Sequence, residues 1–288
     1  MNQANQATPA IARNADLART RFHVMHSGSS FPLCMVNAPF AEGYHKAALR
    51  IGGGCGQADQ AMMEKQTEYV IEGFQGINCV VASGGTLDLE EGFDAANQRT
   101  IFTAKKLMVT MFPAMLAKAY PGKVIAMSTT PRTAQMELGR NFGDVLVDGH
   151  YHLDFQQDDA LVFQIDACEL DPDNIDWVAD VPAWIEMQAA WKAKGVHTGW
   201  WGIEGGGGTR KEVIWHLERG IPAILTANSG RQSDAMVNEF AQGKLMVRDL
   251  RTGDEVPVDP SLVTVVDNLN AAQLNAALRK LNIIATNA

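Results

Sequence analysis

The run Glu204-Gly205-Gly206-Gly207-Gly208-Thr209-Arg210-Lys211-Glu212 gathers what anion binding and acid–base chemistry require. Its glycines let the backbone approach a ligand closely, and a helix-like stretch from Arg210 to Arg219 follows them. The first N–H groups of such a helix are free to hold an anion. Glu212 falls in the first turn of that expected helix, where a carboxylate within reach of a bound ligand could act as general acid or base. A short apolar segment, Gly199 to Ile203, leads into the run. Strand, glycine turn, helix start and acid together point to a nucleotide or sugar-phosphate site. The plainer role for Glu212 is an acid that stabilises the helix macrodipole by ~0.3–1 kcal/mol.

A second constellation is Ser229-Gly230-Arg231, with Asp234 shortly after. A guanidinium grips phosphate bidentately, so Arg231 is the expected countercharge. Asp234 either pairs with it or caps a turn. Two further turns have the same character: Gly52-Gly53-Gly54-Cys55-Gly56 and Ser83-Gly84-Gly85-Thr86. The first is not the dinucleotide fingerprint GxGxxG, and Ser83 stands where an acid for the ribose is expected. No lysine followed by Ser or Thr stands in P-loop spacing. A hydride-transfer dehydrogenase and a P-loop NTPase are therefore disfavoured.

These turns must be positioned by the elements around them. Unbroken apolar runs read as buried parallel strands because they do not alternate. They are Ala47–Ile51, Ile77–Ala82, Val124–Met127, Ala160–Ile165, Trp200–Ile203 and Pro222–Leu225. Phe31–Val36 is a candidate extra strand, and Leu245–Leu250 and Leu262–Val266 are strands of the tail. Helix-like segments lie between them: Asp59–Phe74, Leu87–Ala119 with a break or kink at Pro113, Trp184–Lys194, Arg210–Arg219, Asp234–Phe240 and Ala271–Leu281. Strands alternating with helices predict an α/β, Rossmann-like doubly wound fold: a mostly parallel sheet with helices on both faces. In such a sheet the glycine turns all fall on the carboxyl edge, where ligands bind.

The chain has 288 residues, enough for one large core, and no internal repeat or linker is visible after the first ~16 residues. One domain over 17–288 behind a flexible 1–16 is the expected organisation. The net charge of −9 supplies no basic surplus for nucleic acid. No apolar stretch reaches membrane-spanning length and no signal peptide is visible, so a cytoplasmic protein without a membrane partner is expected. Cys34, Cys55, Cys79 and Cys168 lack CxxC spacing and read as free thiols. His150 and His152 could face one way on a strand, but no third ligand stands near, so neither a metal nor a resident cofactor is expected. His216, one turn beyond Glu212, is expected to be structural. Trp177, Trp184, Trp191, Trp200 and Trp201 are expected in the core or an interface.

The segment Gly205-Gly206-Gly207-Gly208-Thr209-Arg210-Lys211-Glu212 resembles the GGxGTxxE motif of the LOG phosphoribohydrolases, and Ser83-Gly84-Gly85 matches their earlier glycine turn in position. The stretch from Gly220 through Ser229-Gly230-Arg231-Gln232-Ser233-Asp234 is similar to the IPVV…GSGRxSD segment of the cytosolic N-terminal domain of TRPM channels. Both belong to the SLOG superfamily of Rossmann-like nucleotide-binding proteins. The resemblance spans roughly Ala47 to Phe240 in element order and is specific over Trp200–Asp234. It implies that Glu212 acts at a ribose during cleavage of an N-glycosidic bond. It further implies that the glycines and Thr209 hold a phosphate, and that Arg231 lies near an ADP-ribose-type ligand. The RKxxM pattern of LOG enzymes is absent from 132–160, where Arg132 and Arg140 are the available arginines, and Glu204 replaces the leading proline of their motif.

The resulting expectation is a protein that binds a nucleotide-derived ligand such as AMP, ADP-ribose, an NAD-derived molecule or a cyclic relative, as a sensor or binding protein. The expected contacts are Gly53, Gly54, Ser83, Gly84, Gly85, Thr86, Glu204, Gly205 to Gly208, Thr209, Ser229, Gly230, Arg231 and Asp234. The alternative is a hydrolase that uses Glu212 on the ribose. The resemblance also implies a homodimer or higher homo-oligomer, and a sensor would need a separate effector protein.

Overall fold

The computed structural model describes residues 21–26, 45–54, 60–84, 89–94, 99–104, 112–121, 123–131, 160–166 and 181–285. In chain order the strands are Arg21–His26 (β1), Ala47–Gly53 (β2), Cys79–Gly84 (β3), Leu89–Asp94 (β4), Arg99–Ala104 (β5) and Val124–Pro131 (β6). They continue with Ala160–Asp166 (β7), His197–Ile203 (β8), Ala223–Ala227 (β9), Met246–Arg248 (β10), Glu255–Pro257 (β11) and Val263–Asp267 (β12). The helices are Gln60–Gly73 (α1), Phe112–Ala119 (α2), Val181–Ala193 (α3), Gly207–Glu218 (α4), Arg231–Ala241 (α5) and Ala271–Lys280 (α6).

Eight strands form one sheet in the order β1-β7-β6-β3-β2-β8-β9-β12. Every pairing in it is parallel. The unbroken apolar runs have the reason expected of them: β2, β8 and β9 are buried along nearly their whole length. Side chains of one strand alternate between two helical layers. Leu49, Ile51, Trp201, Ile203 and Ile224 pack against α1, α2 and α6 through Tyr69, Val70, Phe74, Phe112, Leu116 and Leu274. On the opposite face, Trp200, Ala223 and Leu225 pack against Val213 and Leu217 of α4 and Met236 of α5. The fold is thus α/β and Rossmann-like, with helices on both faces. Each such apolar side chain contributes about 1.5–3 kcal/mol on burial.

The strand order places the site. From β2 the chain winds outward through β3, β6 and β7; it then returns to β8 beside β2 and winds the other way through β9 and β12. The reversal lies between β2 and β8, and the crevice it opens at their carboxyl ends is where a doubly wound sheet receives a ligand. Trp200 lies flat over this junction. A Cβ at Gly202 would fall 2.1 Å from its ring, and one at Gly52 2.7 Å away, so both neighbours must be glycine.

Two elements depart from the sequence reading. Leu87–Ala119 is not one helix: β4 and β5 form an antiparallel pair, with Phe93 opposite Thr100 and Gly92 opposite Ile101, and among the described residues of the segment only Phe112–Ala119 is helical. Gly92 and the β-branched Thr100, Ile101 and Thr103 favour strands over the helix suggested by composition. Pro113 stands in the first turn of α2, where its missing N–H costs nothing, so it opens that helix rather than kinking a longer one. β1 was not anticipated, and Phe31–Val36 lies outside the described residues. The two expected tail strands are present over Met246–Arg248 and Val263–Asp267. The short β10 pairs antiparallel with β11, while β12 joins the main sheet beside β9.

Candidate functional site

The crevice is closed at its base by backbone. Gly54 N–H donates to the Ile203 carbonyl at 2.9 Å. Gly53 has φ +100°, and a Cβ on it would stand 2.0 Å from the same oxygen. Only glycine fits, and the ends of β2 and β8 are thereby held in contact. Ser83 and Gly84 end β3 on the next strand over, with Ser83 in register with Ile51. Gly85 and Thr86 lie outside the described residues.

Opposite Gly53 and Gly54, the chain leaves β8 through two consecutive left-handed residues, Glu204 (φ 49°) and Gly205 (φ 82°). Glu204 is a buried acid, 4% exposed, and its conformation is uncommon for a residue with a side chain. Its backbone N–H donates to Ser229 Oγ at 3.1 Å, and its carbonyl accepts from Ser233 N–H at 2.9 Å. Gly205 packs against Thr209: a Cβ there would meet Thr209 Oγ1 at 2.3 Å. Gly206 is the N-cap of α4, and its N–H donates to Thr209 Oγ1 at 3.2 Å. Gly207 and Gly208 are the first two helical residues. A Cβ at Gly207 would meet nothing within 4 Å, so this corner of the helix start is open.

Ser229, Gly230, Arg231 and Asp234 follow β9 on the adjoining strand. The Asp234 carboxylate accepts from the N–H groups of Ser229 (3.2 Å) and Gly230 (3.1 Å). It therefore caps the start of α5 and does not pair with Arg231 in any bond seen here. Ser229 Oγ donates to the Thr226 carbonyl at 2.8 Å, as does Ser233 Oγ at 2.7 Å. These bonds fix the loop. Arg231 is exposed and held at φ 53°. Its guanidinium reaches back over the glycine run, with Nη2 3.5 Å from where a Gly206 Cβ would stand. The two glycine constellations that lie far apart in sequence thus share one corner: N–H groups of α4 below, the Arg231 cation above.

Glu212 is placed differently from the expectation. Because α4 begins at Gly207, Glu212 falls in the second turn and faces the sheet rather than the helix start. It is 6% exposed. Its Oε1 accepts from Arg50 Nε at 2.5 Å. Arg50 is itself 2% exposed and its guanidinium lies 5.1 Å from the centre of the Trp184 ring, a cation–π distance. One turn on, His216 is fully buried, with Nδ1 2.7 Å from the Glu212 carbonyl oxygen and Nε2 2.5 Å from Gln188 Oε1. Gln188 Nε2 in turn donates to the Gly199 carbonyl at 3.0 Å. Burial pulls the His216 pKa down to about 3; the bond to the Glu212 carbonyl opposes this, and the charges of Arg50 and Arg219 add to it. The neutral ring has one N–H for its two facing oxygens. His216 is structural, as expected, and it joins α4 to α3.

Sequence reasoning missed Arg50. The signal was present: a single charge inside the otherwise apolar run Ala47–Ile51 cannot be buried without a partner. That partner is 162 residues away, so no local pattern could name it. Trp184, Trp191, Trp200 and Trp201 are all buried, as expected. His150, His152 and Trp177 lie outside the described residues, as do Cys34, Cys55 and Cys168.

Among the described residues no group of three or more His, Cys, Asp or Glu side chains is arranged to hold a metal ion. No helix among them is long and apolar enough to cross a membrane. No family model matches the chain, and no curated protein matches it in sequence. Among solved structures, the molybdenum cofactor carrier protein of Chlamydomonas reinhardtii aligns with a TM-score of 0.41 at 14% identity, over 83% of this chain and 99% of that one. A score of that size carries no functional argument, so the reading of the site rests on its own geometry.

Proposed function

We infer that this chain binds a nucleotide-derived ligand in the crevice between the carboxyl ends of β2 and β8. One observation carries the reading. At the point where the winding of the sheet reverses, the open N-terminus of α4 and the exposed guanidinium of Arg231 converge on Gly206. A phosphate group is the ligand chemistry that this pairing suits, because N–H dipoles and a forked cation both favour a compact oxyanion. Gly53 and Gly54 would face the ligand across the crevice, and Ser83 and Gly84 would flank it on β3. The resemblance of Gly205–Glu212 and Ser229–Asp234 to SLOG motifs supports a nucleotide as the carrier of that phosphate.

Binding without cleavage is favoured over hydrolysis. The Glu212 carboxylate is turned into the protein interior and engaged by Arg50, whereas a general acid or base must reach the substrate. A sensor that reports to a separate effector protein, as a homodimer, is the biological setting we propose for such a site.

The test is incubation with AMP, ADP-ribose, NAD and a cyclic relative, followed by chromatography of the ligands and thermal-shift measurement of the protein. The expected result is at least one ligand that raises Tm and is recovered intact, with the shift lost in Arg231→Ala. Release of free base by the wild type, abolished in Glu212→Ala, would transfer the reading to the hydrolase. A protein stabilised by none of these ligands would overturn both.

A further inference from the structure

The loop that leaves β8 and the loop that leaves β9 are tied together by two serines. β8 pairs with β9 from Trp200 to Gly202, and beyond Gly202 hydroxyl groups take over from the backbone ladder. Ser229 Oγ accepts from the Glu204 N–H at 3.1 Å and donates to the Thr226 carbonyl at 2.8 Å. Ser233 is 2% exposed. Its N–H donates to the Glu204 carbonyl at 2.9 Å, and its hydroxyl donates to the same Thr226 carbonyl at 2.7 Å. Ser233 Oγ also accepts from the Thr226 N–H at 3.2 Å. The N–H and the carbonyl of Glu204 are thus both held from the β9 side.

A serine hydroxyl has one hydrogen to donate. Both serines give it to Thr226, so neither keeps a donor for a phosphate oxygen, which accepts. The sequence reading placed Ser229 among the ligand contacts; its bonds assign it to the scaffold instead. Arg231 lies between the two serines on the chain and is held at φ 53°. A residue with a side chain stays in the left-handed region where its surroundings over-determine it. The anchors on either side of Arg231 supply that constraint, and its Nη2 is kept 3.5 Å from where a Gly206 Cβ would stand.

We propose that Ser229 and Ser233 are positioning residues of the phosphate corner. They fix the separation between Arg231 and the start of α4, and through it the affinity for the anion, without touching the ligand. Loss of either hydroxyl loosens the 229–233 segment, lets Arg231 relax toward the right-handed region and withdraws its guanidinium from Gly206. This inference rests on the nucleotide reading above and adds what holds the two halves of its anion site together.

The test is calorimetric titration of the full chain with AMP, and with adenosine by displacement, well below the melting temperature of each variant. It compares the wild type with Ser229→Ala, Ser233→Ala and Ser229→Thr. Each alanine variant is expected to bind AMP about tenfold more weakly, the effect of one hydrogen bond in a buried network, with adenosine affinity unchanged. Ser229→Thr keeps the hydroxyl and is expected to keep the affinity for AMP. A merely structural role would lower Tm without moving the ratio of AMP to adenosine affinity. Should Ser233→Ala not fold, the half-buried Ser229 decides alone. An unchanged ratio in either folded alanine variant, or an equal loss in Ser229→Thr, overturns the positioning role while leaving nucleotide binding in place. Absence of AMP binding by the wild type overturns the nucleotide reading and this inference with it.

Discussion

Arg50 on β2 and Glu212 on α4 form an ion pair, Nε to Oε1 2.5 Å, with 2% and 7% of their side chains exposed. The pair ties α4 to the strand on the far side of β8, across the reversal of the sheet. It holds α4, whose start carries the glycine run, against β2, which ends in Gly53.

Breaking this pair from one side leaves an uncompensated buried charge. Arg50→Met or Glu212→Leu alone is expected to destabilise by about 3–5 kcal/mol, while the double replacement recovers most of the loss. Urea denaturation of the two single variants and the double variant measures the coupling. Additive losses would show that the two side chains do not act as a pair.

Arg231 separates stability from binding. It holds φ 53°, a region that costs a residue with a side chain about 1–2 kcal/mol. Arg231→Gly is therefore expected to raise stability by about 1 kcal/mol while abolishing the phosphate-dependent thermal shift. A variant that is more stable and still shifts with ligand would remove Arg231 from the site.

The glycines are not equivalent. Gly205→Ala places a methyl 2.3 Å from Thr209 Oγ1 at a left-handed φ, and a loss of about 1–3 kcal/mol is expected. Gly207→Ala meets no atom within 4 Å and replaces a poor helix former, so stability should hold or rise by about 0.5–1 kcal/mol. Its methyl stands at the open helix start, and ligand affinity should fall. Melting curves with and without AMP separate the two effects.

His216 makes stability depend on pH. Its folded pKa, about 3, lies below the ordinary value of 6.5, so the unfolded chain takes up a proton that the folded chain refuses. The contribution is complete above pH ~6.5 and is lost as pH falls toward 3, at up to about 1.4 kcal/mol per pH unit for one proton. Unfolding midpoints measured from pH 7 down to pH 4 should show this slope in the wild type and a shallower one in His216→Leu. Equal slopes would mean that other groups carry the acid sensitivity.

The sequence by itself determined the fold class and the edge of the sheet on which the glycine turns gather. Unbroken apolar runs have only one comfortable home, a sheet covered on both faces, and glycine turns that follow parallel strands must gather on the carboxyl edge. Arg231 and the 205–208 run were legible as candidates for the same local reason, the need of a compact anion for N–H groups and a forked cation. The hairpin within 87–119 was not legible, because composition is a weak guide where glycine and β-branched residues decide the local conformation. Only the tertiary structure decided which turns meet, since strand order depends on pairings between distant segments. It decided, too, that Asp234 caps α5 and does not pair with Arg231. It also turned Glu212 inward, because α4 starts three residues before the expected Arg210 and so rotates that carboxylate through most of a turn, toward an arginine 162 residues away.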